Sequence, residues 1–441
     1  MELRGARVMV VGLGVSGRAA AQFLASQGAS LVLTDTRRDV ATSSLPSGEL
    51  HLGDEDSAWL RSVDLVVVSP GVPLTSRLAK AAGAAGVPII GELELASRFI
   101  KCPIVAVTGT NGKSTVTTLI GEICAQAGFK TFAGGNLGTP LVEAIGLDIE
   151  LAVVEVSSYQ LETIQWFKPR VAIHLNLSDD HLDRYRDLNE YGRAKARIFE
   201  NQDASDWAIL NREDSSVWKL REKIRAPVLG FGFAKPEPLA EAAIWNESGL
   251  CFAAGRQYGA ISLDRFRLPG PFNRANAMAA AGAALLLNIS PELIERTLAD
   301  FSGLPHRLEF VRERNRVKFV DDSKGTNVGA VVQALAAVQP PVILIAGGVD
   351  KGGSYEVLRG ALRSRVRLLL LYGAARDLMR AALDGTTRIE CVPTLEEAVA
   401  RTADEARPGD TVLLSPACAS FDQFKSYAER GRVFQELVRA L

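Results

Sequence analysis

The run Ala106-Val-Thr-Gly-Thr-Asn-Gly-Lys-Ser-Thr115 is where residue types and spacing speak most directly of chemistry. It lies between the apolar stretch Pro103–Val107 and an amphipathic stretch that runs from Thr115 to Gly128. A glycine-rich turn at a helix N-terminus aims several backbone N–H groups at one point and adds the positive end of the helix dipole, so it suits phosphate. Lys113 would reach the β- and γ-phosphates, and a hydroxyl from Ser114 or Thr115 would meet Mg²⁺. The standard pattern asks for glycine where this chain has Val107. The strand before and the helix after still separate the run from a chance glycine turn, so Gly109, Thr110, Asn111, Gly112, Lys113, Ser114 and Thr115 are expected to hold a nucleoside triphosphate.

Three further groups suggest chemistry. Glu155 closes the apolar strand "ELAVVEV", and α/β sheets present functional groups at strand C-termini. A carboxylate there suits a hard cation better than a solvated surface would explain it. Asn273 and Asn276, in "GPFNRANAMAA", are spaced to face one ligand, with N-capping as the structural alternative. Gly12-Leu-Gly-Val-Ser-Gly17 follows a strand and Asp35 ends the next one. By itself that is a dinucleotide fingerprint, although the same turn holds any pyrophosphate.

These groups need parallel sheets to position them. Short apolar runs alternate with helical stretches along the 441 residues, which places the chain in the α/β class. Strands are expected at Arg7–Val11, Ser30–Thr34, Asp64–Val68 and Pro88–Ile90, with helices at Arg18–Gln27 and Ser76–Ala85. A second block has strands at Pro103–Thr108, Leu151–Glu155 and Val171–Leu175 and a helix at Asn276–Leu287. A third has strands at Lys318–Val320, Val342–Ala346, Leu368–Tyr372 and Thr411–Leu414. Boundaries near residues 94 and 302 divide the chain into three domains, 1–94, 95–302 and 303–441. Ala234–Ala240 reads as a surface loop. With 50 basic and 51 acidic residues nothing draws this surface to nucleic acid or acidic lipid. Five scattered cysteines without a C-x-x-C pair fit reduced thiols. No apolar run is long enough to span a bilayer and no secretory leader is evident, so a cytoplasmic protein without membrane insertion is expected.

At the phosphate loop the chain resembles the Mur ligase family, in which T-G-T-N-G-K-[ST] is the usual form, Val107 included. "GGNLGTP", "EVSSYQLE", "NLSDDHLDRY", "YGRAKARIF", "GPFNRANAMAA", "GLPHRLEFV", "DDSKGTNVGA" and "LSPACASFDQF" agree in order and spacing over nearly the whole chain. The last three look most like the D-glutamate-adding members. The resemblance implies a Rossmann-like UDP-binding domain, a central P-loop ATPase-like domain and a C-terminal Rossmann-like domain for the amino acid. It implies ATP-dependent addition of D-glutamate to UDP-N-acetylmuramoyl-L-alanine through an acyl phosphate, in peptidoglycan precursor synthesis, by a monomer.

The resemblance also assigns roles. Val15, Ser16, Asp35, Thr36, Arg37, Gly71 and Asn136 match the positions that hold the UDP-sugar. Glu155 matches a ligand of the magnesium bound by ATP, and His181, in "SDDHLDRY", a ligand of a second magnesium. Lys195, in "YGRAKARIF", matches a lysine carbamylated by CO₂, which turns a cation into a carboxylate-like metal ligand. Arg307, Asp322 and Lys324 match the third domain's contribution to ATP, with Asp322 suited to ribose hydroxyls. Lys351, Ser420, Phe421 and Tyr427 match the D-glutamate pocket, although the family often has leucine and phenylalanine where this chain has Phe421 and Tyr427. His51, His174 and His306 carry no functional case of their own.

Three alternatives compete. Another amide ligase of the same family, adding a different amino acid or of the folylpolyglutamate type, would share the ATP loop; the D-N-P-R motif of the diamino-acid-adding member is absent. A nucleotide-regulated binding protein would have no reason to keep Lys113, Glu155, His181 and Lys195 together. An NAD-dependent oxidoreductase would have no use for the second phosphate loop.

Overall fold

The computed structural model describes residues 1–181, 184–236, 242–247, 249–254 and 257–441. The expected loop at 234–240 therefore lies partly outside the described residues, as does part of the "HLDRY" turn.

Three sheets follow one another along the chain. In the first, all neighbours are parallel and the order is Glu49–Leu52, Ser30–Asp35, Arg7–Val11, Leu65–Val68, Ile89–Gly91. The order reverses beside Arg7–Val11, and ligands of open α/β sheets bind at the carboxyl ends of the strands at such a reversal. Residues 8–11 are buried, as a two-sided parallel strand requires.

The second sheet has nine strands. Seven run parallel, from Thr131–Gly135 through Leu151–Glu155, Ile104–Thr108, Val171–His174, Trp207–Asn211 and Val228–Gly232 to Ala242–Asn246. Leu250–Ala254 and Gln257–Ile261 extend it antiparallel. Its own reversal lies at Ile104–Thr108, flanked by Leu151–Glu155 and Val171–His174. The phosphate loop and Glu155 thus emerge at the position the topology reserves for ligands. In the third sheet Glu309–Arg314 pairs antiparallel with Val317–Asp321. Thr411–Leu414, Val342–Gly347, Val366–Tyr372 and Arg388–Cys391 complete it in parallel.

The two junctions between units differ. One apolar core runs from the first sheet into the second, through Leu93, Leu95, Ala96, Leu141, Val154 and Phe167. The third unit has cores of its own, around Leu344 and Leu371 on one face of its sheet and Ile345 and Phe434 on the other. Among the described residues no helix is long and apolar enough to cross a membrane.

The helix expected at Asn276–Leu287 starts earlier, at Pro271. Gly270, at φ 90°, opens it and Pro271 supplies a preset φ at the first turn. Asn273 and Asn276 are therefore interior to the helix and do not cap it. Asn273 Nδ2 donates instead to Pro269 O at 2.8 Å.

Candidate functional site

At the first reversal the strand Arg7–Val11 turns through Gly12 into the helix Val15–Ser26. A side chain at Gly17 would place its Cβ 1.8 Å from Gly12 O, so only glycine lets helix and turn approach this closely. Asp35 ends the neighbouring strand, buried, and braces the turn by accepting from Leu13 N at 2.8 Å and Arg37 N at 2.9 Å. Burial pushes its carboxyl upward, but the Arg37 guanidinium and these N–H groups outweigh it and hold the pKa down at about 2. Beside this turn lies a cleft of 480 Å³ whose lining includes all seven residues expected for the nucleotide sugar: Val15, Ser16, Asp35, Thr36, Arg37, Gly71 and Asn136. Glu55 and Ser69 also line it, and sequence reading did not single them out.

Asn136 belongs to the second unit and carries the cleft to the phosphate loop. Its Nδ2 donates to Glu155 Oε1 at 2.7 Å, and Ser114 Oγ donates to Glu155 Oε2 at 2.6 Å. Gly112, at φ 89°, opens the helix Lys113–Gln126. A Cβ on Gly112 would meet Asn276 Oδ1 at 2.4 Å, which explains glycine there and places Asn276 against the loop. Asn111 N donates to Asn176 Oδ1 at 2.8 Å, and Thr110 N to Asn176 O at 3.0 Å, so the segment after Val171–His174 props the loop. Thr115 is buried beneath it. A second hollow of 230 Å³ lies alongside, walled by Asn111, Gly112, Phe231, Phe233, Phe272 and Asn276.

The lysines crowd this loop. Lys113 Nζ donates to Gly109 O and Thr110 O, both at 2.9 Å, and Lys195 Nζ donates to the same Gly109 O at 2.9 Å. Lys195 is fully buried, with its ammonium 4.5 Å from the centre of the Tyr191 ring. Burial, and then the charge of Lys113, drive its pKa well below the ordinary lysine value. Two ammonium groups on one carbonyl repel, and the neutral amine is the form that burial favours. His181 stands in a left-handed turn, φ 57°, and burial lowers its pKa to about 4, so its imidazole is neutral and able to ligate a cation. Asp180, buried beside it, was not singled out from sequence although it stands in the same motif. Glu155 and Ser114, in contact at 2.6 Å, offer the oxygens that magnesium prefers, whereas Glu155, Asp180 and His181 are not close enough to one another to share an ion in this geometry.

His174 is another residue that sequence reading passed over. It pairs in register with Thr108, and both its ring nitrogens and Thr108 Oγ1 are buried without a hydrogen-bond partner among the described residues. Burial, then the charges of Lys195 and Lys113, hold it neutral, with its pKa lowered to about 3.

The third unit closes over the loop through polar contacts. Lys324 Nζ donates to Ser114 Oγ at 2.8 Å and lies 5.5 Å from the Tyr427 ring centre; burial lowers its pKa to about 8. Asn327 Nδ2 reaches Asn111 Oδ1 at 3.2 Å and Asp180 Oδ2 at 3.0 Å. Lys351 Nζ donates to Thr326 Oγ1 at 3.2 Å, with Asp180 Oδ1 at 3.9 Å. Arg307 is partly exposed near Lys113 and Lys324. Asp322 is buried and accepts from Ser415 Oγ at 2.8 Å and Leu308 N at 3.3 Å. Ser420 is buried, whereas Phe421 is exposed and does not close over Lys351.

Comparison with known proteins accords with this geometry. The profile described as the Mur ligase middle domain matches residues 107–284. The Mur ligase MurD-like N-terminal domain matches 6–91, and the Mur ligase glutamate ligase domain matches 306–418. The chain is 46% identical over 449 residues to the UDP-N-acetylmuramoylalanine–D-glutamate ligase of Trichlorobacter lovleyi, covering all of both chains. It is 45% identical over 450 residues to the ligase of the same name from Geobacter metallireducens, covering all of this chain and 99% of that one. Among solved structures, a pseudomurein peptide ligase type C from Methanothermus fervidus superposes with a TM-score of 0.63 at 19% identity, over 99% of this chain and 100% of that one. MurF from Acinetobacter baumannii gives 0.62 at 18% identity, over 98% of this chain and 91% of that one. The chain belongs to the Mur ligase family.

Proposed function

We propose that this protein is an ATP-dependent amide ligase that adds D-glutamate to UDP-N-acetylmuramoyl-L-alanine, as a monomer in the cytoplasm. In this reading residues 1–94 hold the UDP end, 95–302 hold ATP and 303–441 bring the amino acid. The observation that carries it is a single line of hydrogen bonds, Asn136–Glu155–Ser114–Lys324, at 2.7, 2.6 and 2.8 Å. It joins the nucleotide cleft, the phosphate loop and the third unit at one point, which a three-substrate condensation requires.

The acceptor carboxylate attacks the γ-phosphorus, ADP leaves, and the amine of D-glutamate then displaces phosphate from the acyl phosphate. Lys113 swings from Gly109 O and Thr110 O to the phosphates, while Asn273, Asn276 and the aromatic walls of the 230 Å³ hollow hold the nucleoside. Lys324 and Arg307 bring positive charge from the opposite side. Ser114 and Glu155 would hold one magnesium ion, and His181 with Lys195 as its carbamate a second; when bound, they would neutralise charge as it builds on oxygen. The buried neutral amine of Lys195 adds to CO₂, losing one proton to solvent, and the resulting anion relieves the repulsion with Lys113. Lys351, Ser420 and Tyr427 receive D-glutamate, and Phe421 folds inward to cover it.

The test is phosphate release from ATP with UDP-N-acetylmuramoyl-L-alanine, adding D-glutamate, L-glutamate or meso-diaminopimelate in turn. Release that depends on D-glutamate supports the assignment, and release with another amino acid overturns the pocket. Lys195→Ala should cut turnover at least about 100-fold, with partial rescue by short carboxylic acids; an unimpaired variant rules out the carbamate.

A further inference from the structure

Between the nucleotide cleft and the His181 turn runs a path of contacts that the proposed condensation does not itself demand. Arg184 leaves that turn and reaches into the first unit, where Nη1 donates to Pro70 O at 3.2 Å and Nη2 to Val72 O at 3.4 Å. Pro70, Gly71 and Val72 form one wall of the 480 Å³ cleft. The guanidinium is anchored by Glu162, to whose Oε1 Arg184 Nε donates at 3.2 Å, and Tyr185 Oη donates to the same oxygen at 2.6 Å. Its Cζ lies 4.2 Å from the centre of the Tyr159 ring, and Tyr159 Oη stands 2.7 Å from His181 Nδ1.

Each contact has a simple job, but their order is informative. Glu162 takes only Nε and one N–H of Nη2 from a guanidinium with five N–H donors, and the carbonyls that take others lie 114 and 112 residues away in sequence, in the first unit. Tyr159 fixes the imidazole. When Nδ1–H donates to Tyr159 Oη, the lone pair is left on Nε2, the atom that would meet a cation. A nucleoside diphosphate that settles against Pro70–Val72 shifts the two carbonyls that hold Arg184. The guanidinium then slides over the Tyr159 face, and the hydroxyl of that same ring sets the angle of His181.

We propose that Arg184 and Tyr159 are positioning residues that couple occupation of the first-unit nucleotide cleft to the orientation of His181. The proposal rests on the reading of His181 as a metal ligand. Its consequence is that a nucleoside diphosphate and a divalent cation bind cooperatively although they touch different units. Linkage makes the effect reciprocal: each must tighten the other by the same factor.

The experiment uses the full chain with ¹⁵N-labelled histidine, UDP and Mn²⁺. UDP should move the His181 ring resonances of the wild type and tighten Mn²⁺ binding, read by electron paramagnetic resonance, about fivefold. In Tyr159→Phe, which keeps the ring and loses only the hydroxyl, that tightening should fall below about twofold while UDP affinity alone stays within about threefold. Arg184→Met should abolish the UDP-induced movement of His181 with Mn²⁺ absent. Wild-type coupling in both variants, or a His181 resonance that UDP leaves unmoved in the wild type, overturns the link. Coupling that persists in a wild type without D-glutamate-dependent phosphate release upholds the link and overturns only the ligase reading.

Discussion

The two junctions of this molecule are built from opposite materials. Between the first and second units Leu93, Leu95, Ala96, Leu141 and Phe167 share one apolar core. That junction is locked further by Glu94, fully buried, which accepts from Gln165 N, Trp166 N and Phe167 N at 2.8 to 3.0 Å and from Arg98 Nε at 2.7 Å. Between the second and third units the described contacts over the loop are polar: Lys324 to Ser114, Asn327 to Asn111 and Asp180, Lys351 toward Asp180. Apolar burial holds regardless of ligand, whereas polar contacts exchange for water or phosphate at small net cost. That contrast leads us to expect the first unit to act as a fixed wall of the site and the third as a lid. In the proposed reaction a closed lid keeps water from the acyl phosphate.

The sharpest way to break this contrast is Glu94→Ala. It strands three backbone N–H groups at the apolar junction, and losing one partner of a buried charged cluster costs about 3–5 kcal/mol. Denaturant unfolding should show that loss with the first two units still melting together. A loss under about 1 kcal/mol, or a separate first-unit transition, would mean the junction is not a shared core.

Lys324→Met probes the other junction and should behave in the opposite way. It removes one exchangeable contact, so the melting temperature should stay within about 2 °C of the wild type. Phosphate release should nevertheless fall about 100-fold, because the ammonium that meets Ser114 in the closed form is missing from the phosphate site. A variant that loses stability as Glu94→Ala does would show that the third unit is no lid.

The contrast was only half legible in the sequence. Leu151–Glu155 and Thr411–Leu414 begin and end as the apolar runs suggest, because a two-sided buried strand leaves little room for ambiguity. Val15, Ser16, Asp35, Thr36, Arg37, Gly71 and Asn136 do line one cleft, since most follow strand ends whose place the parallel order dictates. The "GP" pair at Gly270–Pro271 signalled the true helix start and was read too late. Arg184, Tyr159 and Glu94 were not legible. Each owes its role to partners more than 20 residues away, and an arginine in a polar turn or a glutamate on a short helix reads as solvated until those partners are seen. The hydrogen bonds that Asp322 accepts from Ser415 and Leu308 were no more visible in its motif.

The smallest effect expected is one of pH, and it assigns separate windows to the apolar junction and to the third unit. At the apolar junction Glu92 is buried, accepts from Val142 N at 2.7 Å and leaves Oε2 without a partner among the described residues. Burial pushes its pKa up from 4.5 to about 7. A folded pKa above the unfolded one means stability that is fully present below pH 4.5 and drains away as pH rises toward 7. Within the third unit His306 Nδ1 stands 2.7 Å from Asp321 Oδ2, and that hydrogen bond raises the imidazole above its ordinary 6.5 against the opposing effect of burial. The sign is the same but the window is higher: its stability is complete below pH 6.5 and is lost above it. Each group contributes a slope of at most about 1.4 kcal/mol per pH unit. Glu92→Gln should flatten the unfolding free energy between pH 4.5 and 7 and leave the higher range as it was, and His306→Gln should do the reverse. A single variant that flattened both windows would mean the apolar junction and the third unit melt as one, and the division into wall and lid would have to be abandoned.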